Sequence, residues 1–170
     1  VREALFGILS SAGCVDGARV LDLYAGTGAL GLEALSRGAD HATFVESGRD
    51  ALATLRQNVT SLGVQSRSRV IAGDAGSTSV RAAVLAAGPF DLVLADPPWA
   101  QVDDGEAEPV LASLVASGAC REGATLVLER SSRSESPSIE GCFHSEDRRY
   151  GDATLAFYKT GILARPRGDT

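Results

Sequence analysis

Short apolar runs alternate with amphipathic stretches along this chain, the pattern of βαβ units wound into a parallel sheet. Val1 to Ser11 predicts a helix, with Val1, Ala4, Leu5, Ile8 and Leu9 at helical spacing, stopped at Ala12-Gly13. Arg19 to Tyr24 predicts a first buried strand. The turn Ala25-Gly26-Thr27-Gly28 follows, then a helix from Ala29 to about Arg37 closed by Gly38. A second strand, Ala42 to Val45, ends at Glu46. A helix from about Arg49 to Leu62 stops at Gly63, and Val70 to Ala72 predicts a third strand leading into Gly73-Asp74. After a helix near Ser79 to Ala87, Phe90 to Ala95 predicts a fourth strand ending at Asp96-Pro97-Pro98-Trp99. Pro109 should open the next helix, to about Ser117, because a first-turn proline loses no hydrogen bond. Ala124 to Glu129 predicts a fifth strand and Arg130 to Ser138 a loop. Phe143 to Arg149 and Thr154 to Tyr158 should pair through the turn Tyr150-Gly151-Asp152. The expected fold is therefore one α/β Rossmann-like domain over 1–160, mostly parallel, with a C-terminal antiparallel hairpin and a polar tail over 161–170.

Composition removes several function classes. No apolar run approaches the ~20 residues that span a bilayer, and no signal-peptide pattern opens the chain. Cys14, Cys120 and Cys142 are odd in number and form no C-x-x-C pair, and the histidines are two, His41 and His144. No disulfide framework and no metal site is expected, and a reducing cytoplasm suits such a chain. Methionine is absent, so Val1 is not expected to be the translation start. Fifteen of the 16 basic residues are arginine, a compositional bias consistent with a GC-rich genome. The net charge of −6 opposes a free-standing nucleic-acid binder, whose footprint is usually basic.

Open α/β sheets bind ligands outside the carboxyl ends of their strands, near the point where strand order reverses. Four predicted strand ends carry suitable residues: Asp22 with the glycine turn, Glu46, Asp74, and Asp96 to Trp99. Gly26-Thr27-Gly28-Ala29-Leu30-Gly31 is a literal G-x-G-x-x-G, and Glu46 lies where a dinucleotide enzyme places its ribose-binding acid. On these features alone NAD and S-adenosylmethionine fit equally. Asp22 favours the second, because a carboxylate beside a pyrophosphate is repelled whereas the cationic amino group of S-adenosylmethionine is attracted. Glu46 would accept hydrogen bonds from the ribose diol. Asp74 would hold the adenine amino group, with the Ala75 N–H facing a ring nitrogen.

Asp96-Pro97-Pro98-Trp99 points to the reaction. Two prolines after a buried strand stop it and stiffen the backbone. An exocyclic amino nitrogen on a base is a poor nucleophile, its lone pair being delocalised into the ring. The Asp96 carboxylate and the fixed Pro97 carbonyl could accept its two N–H bonds, aim it at a methyl group and stabilise the charge that develops. Trp99 offers a flat face to a flipped-out base.

These residues resemble a known family. Val20-Leu21-Asp22-Leu23-Tyr24-Ala25-Gly26-Thr27-Gly28 is similar to the first motif of class I methyltransferases, and Asp96-Pro97-Pro98-Trp99 to their amino-methylating (N/D)PP(Y/F/W) motif. Val1-Arg2-Glu3-Ala4-Leu5-Phe6, Gly28 to Ala39 and Arg149-Tyr150-Gly151-Asp152 more specifically resemble the RsmD family, nearly end to end, to about Tyr158. That resemblance implies methylation of N2 of guanine-966 in 16S ribosomal RNA, free or in the small subunit. It also implies cofactor contacts from Asp22, Tyr24, Ala25, Gly26, Gly28, Glu46, Asp74 and Ala75, and catalysis by Asp96, Pro97, Pro98 and Trp99. The family carries a basic arm before the Val-Arg-Glu helix, expected to be missing here, and more often ends its catalytic motif in Tyr or Phe. Arg148 and Arg149 are expected to help hold RNA, one of them pairing instead with Glu146 or Asp147. A monomer is expected. Other acceptors stay open: adenine N6, cytosine N4 or a protein glutamine. So does a nucleotide-binding module without catalysis.

Overall fold

The computed structural model describes residues 1–161; the rest of the predicted polar tail lies outside the described residues. One seven-stranded sheet runs in the order β3-β2-β1-β4-β5-β7-β6. Its strands are β1 (Arg19–Leu23), β2 (His41–Glu46), β3 (Ser68–Ala72), β4 (Phe90–Ala95), β5 (Cys120–Ser131), β6 (Cys142–Tyr150) and β7 (Ala153–Thr160). β1 to β5 pair in parallel, and β7 enters antiparallel between β5 and β6. The helices are α1 (Arg2–Ser11), α2 (Ala29–Ser36), α3 (Arg49–Ser61), α4 (Thr78–Ala87), α5 (Trp99–Asp103) and α6 (Ala107–Ala116). This is the α/β architecture that the pattern predicts.

The sheet is covered on both faces, which is why its central strands read as continuous apolar runs. α1, α2 and α3 bury Leu5, Phe6, Leu9, Ala34, Leu35, Leu52 and Leu55 on one side. α4, α5 and α6 bury Val80, Val84, Val102, Leu111 and Leu114 on the other. Alternation decides which strand residue joins which core: Leu126 and Leu128 of β5 face the second group, Val127 the first. Strand order reverses between β1 and β4, so the loops after them diverge and leave a cleft at the carboxyl ends.

Three expectations change. α6 begins at Ala107, so Pro109 is its third residue, still within the first turn, where no intrahelical acceptor is lost. α5 was not predicted, since its five residues carry no amphipathic period and bury only Val102. β5 runs on to Ser131, and Arg130, expected in a surface loop, is buried. Its guanidinium donates to the carbonyls of Ser131 and Ser134, to Ser136 Oγ and to Asp147, and so pins the loop that follows.

Candidate active site

A cleft of about 690 Å³ opens at the carboxyl ends of β1 to β4, large enough for a nucleoside-sized ligand. It collects most of the residues expected there: Tyr24, Glu46, Asp74, Ala75 and Asp96 to Trp99 all line it. Val45, Ser47, Gln101, Glu106 and Val110 also line it and were not anticipated. Gln101 and Glu106 come from α5 and the turn after it, which carry no motif.

The glycine turn is built as much for the protein as for a ligand. Gly26 sits at φ 59°, where a side chain would be strained, and its N–H donates to Glu46 Oε1 at 2.8 Å. Gly28, at φ 89°, caps α2, and a Cβ there would collide with Leu55 of α3. Tyr24 is the single non-glycine residue with positive φ among the described residues, at 62°. Strain of that kind persists where surrounding structure imposes it, commonly at functional sites. Burial, with Asp74 and Glu106 nearby, pushes its phenol up to about 12.

Glu46 braces this turn from the end of β2. Beside the Gly26 contact, its Oε2 accepts from the N–H groups of Ser47 (3.1 Å) and Gly48 (2.8 Å). Asp74 Oδ1 accepts from Gly76 N–H at 2.7 Å and closes its own turn. Both carboxylates are held in place on the cleft wall. Asp96 follows β4 directly; Pro97 is buried behind it, and Pro98, extended at φ −50° and ψ 132°, leads into α5. Trp99, 37% exposed, presents its ring at the rim.

Asp22, Ala25, Gly26 and Gly28 do not line the cleft. Asp22 was expected to meet a cationic amino group, but its side chain lies beneath the turn, 1% exposed, accepting the Gly31 N–H at 2.9 Å. The reason is local: β1 turns Asp22 inward, and α2 starts close enough to use it as an acceptor. Burial raises its pKa to about 8; the Gly31 N–H opposes this, and the charges of Asp96 and Glu46 add to it. The native state therefore holds a proton that the unfolded chain has lost between pH 3.8 and about 8. Stability should fall as pH rises through that window and level off above it. Thermal melts at pH 5 and pH 9 should show the loss in the parent and a smaller loss in Asp22→Asn. Equal losses in the two proteins would place the titrating group elsewhere.

Arg148 and Arg149 lie on the edge strand β6, not at the cleft. Arg149 pairs with Thr154, which pairs with Arg130, so both arginines sit at the cleft end of the sheet, three strand spacings or roughly 15 Å from Asp96. Arg148 Nε donates to Glu146 at 2.9 Å. Arg149 Nε donates to the Gly151 carbonyl at 3.0 Å and has no carboxylate partner among the described residues. Asp147 is taken up by Arg130 and His144.

The family model described as conserved hypothetical protein 95 matches residues 1–159. A provisionally named rRNA methyltransferase, YlbH of Bacillus subtilis, is 31% identical over 94% of this chain and 84% of its own. This chain belongs to that family, RsmD. The Escherichia coli ribosomal RNA small subunit methyltransferase D is 40% identical over 99 residues, 58% of this chain and 46% of that enzyme. A conserved hypothetical protein of Streptococcus pyogenes superposes with a TM-score of 0.82 at 28% identity, covering 98% of both chains. The glycine turn and Asp96 to Trp99 stand at the ends of β1 and β4, on either side of the reversal in strand order.

Proposed function

We propose that this chain transfers a methyl group from S-adenosylmethionine to an exocyclic base amino group, N2 of guanine-966 in 16S ribosomal RNA. The charge of the cleft carries this reading. Glu46, Asp74, Asp96 and Glu106 line it, and among the described residues no arginine or lysine is on its wall. A pyrophosphate cofactor would meet only repulsion there, whereas a cofactor of net positive charge is attracted. When bound, S-adenosylmethionine supplies an electrophilic methyl group on a sulfonium. Glu46 would receive the ribose hydroxyls and Asp74, with the Ala75 N–H, the adenine edge. Asp22 would act from below, holding the turn through Gly31. Tyr24, Ala25, Gly26 and Gly28 would set the turn's shape against the ligand.

The acceptor amino group would donate its two N–H bonds to the Asp96 carboxylate and the Pro97 carbonyl. Trp99 would stack on the base, worth ~1–3 kcal/mol by analogy with single-strand binders. The chain would work as a monomer on naked RNA or on the assembled small subunit. Labelled cofactor offered with small subunits, free 16S RNA and duplex DNA should put label only on the ribosomal substrates, as N2-methylguanosine. Label on adenine, cytosine or a protein glutamine would overturn the base assignment.

RNA would be positioned outside the acidic cleft. Arg149→Ala should weaken RNA binding and reduce the slope of log K against log salt by about one unit, as loss of one phosphate contact does. Arg148→Ala should change neither, its charge being spent on Glu146. The salt dependence of RNA binding in the two variants tests this; equal slopes would put the RNA track elsewhere.

A further inference from the structure

Glu129 has no role in the chemistry above, yet it stands beside Asp96 at the end of the neighbouring strand. β4 and β5 run parallel with Ala95 opposite Leu128, so Asp96 and Glu129 come next on neighbouring strands. Side by side at the strand ends and on one hollow, the two carboxyl groups are placed to share a hydrogen bond. Both border a small hollow formed with Leu5, Leu30, Leu94, Val127 and Leu155; Asp96 also lines the main cleft, and Glu129 does not. A hydrogen bond between two carboxyl groups needs a proton on one of them, because two carboxylates only accept.

We infer that Glu129 is a positioning residue for methyl transfer: as the neutral acid it donates to Asp96 and fixes which carboxylate oxygen faces the acceptor amino group. This rests on the reading of Asp96 as the acceptor of the amino N–H. The apolar hollow favours the uncharged form of Glu129. Burial first, and the Asp96 charge next, raise its pKa to about 7, and burial raises Asp96 as well. Asp22, from β1, is a further charged group facing the pair. α2 and β7 contribute only Leu30 and Leu155 to the hollow.

The donated bond should be lost as pH rises through about 7. The amide introduced by Glu129→Gln keeps a donor at every pH, and Glu129→Ala has none. Single-turnover methyl transfer by the full chain, from pH 6 to 9, should show the parent slowing on the alkaline side and Glu129→Gln lacking that limb. Glu129→Ala should be slower by ~10–100-fold throughout, the range for one hydrogen bond to a charged group, with cofactor affinity within a few-fold. Glu129→Gln failing like Glu129→Ala, or sharing the parent's pH profile, would overturn the proposal. A second readout does not depend on activity. In ¹³C-carboxyl NMR, Glu129 of the parent should titrate near 7 and return towards ordinary glutamate values in Asp96→Asn. An ordinary titration in the parent overturns the pairing by itself. The paired titration without methyl transfer to any acceptor would instead sink the transferase reading, and the positioning role with it.

Discussion

Asp96→Ala should lower turnover by ~10² or more while cofactor affinity stays within a few-fold, the pattern of a contact made chiefly in the transition state. Asp96 follows β4 directly and precedes the buried Pro97, so the backbone that carries the carboxylate is held by the sheet. As the amino nitrogen attacks, positive charge grows on it, and a nearby acceptor is worth most then. Removal should therefore appear in single-turnover rate, with little change in the cofactor dissociation constant measured by calorimetry. Asp22 adds a check, because the Asp96 charge contributes to its raised pKa. In Asp96→Ala the Asp22 titration should move down from about 8. Equal losses of rate and cofactor affinity would make Asp96 a cofactor ligand instead.

Glu46→Ala should weaken cofactor binding by ~1.5–3 kcal/mol, about 10–100-fold, the range for hydrogen bonds to a charged group. Two effects combine. The three backbone N–H groups of Gly26, Ser47 and Gly48 lose their acceptor, which loosens the turn, and the ribose diol loses its partner. A cofactor analogue lacking one ribose hydroxyl separates them. It should bind the parent more weakly than S-adenosylmethionine does, and bind Glu46→Ala as S-adenosylmethionine does, since the contact is already gone. If the analogue loses as much affinity in both proteins, Glu46 acts on the turn alone. Unchanged S-adenosylmethionine affinity in Glu46→Ala would remove the ribose contact altogether.

Much of this molecule is legible in one dimension, for identifiable reasons. Central strands buried on both faces read as apolar runs, and each strand predicted from Arg19 onward, the exposed edge strand β6 included, is a strand of the sheet. Polar residues that break such runs at their carboxyl ends mark the cleft, as Glu46 and Asp96 do. Glu129 carries the same signal, an acid closing the run Ala124 to Leu128, and could have been found by it. Asp22 carries it too and misleads. Strand-end position does not say whether a side chain turns towards the ligand or towards the next helix, and only the placement of α2 sends Asp22 to Gly31.

Local pattern also leaves the partners of charged groups undecided, since partners come from strands distant in sequence. Arg130 reads as loop surface and is buried, because Asp147 of β6 and Ser136 reach it across the sheet edge. Arg148 and Arg149 are indistinguishable by sequence; strand alternation and Glu146 separate them. α5 has no periodic signal and forms because Val102 finds a buried seat. The sequence by itself determined the order of elements, the glycine turn and the acid-proline-proline-aromatic motif, since each is a property of neighbouring residues. Tertiary structure alone decided which acids line the cleft, which lie beneath it and which arginine of β6 lacks a carboxylate partner among the described residues, because burial and pairing depend on what strand order brings alongside.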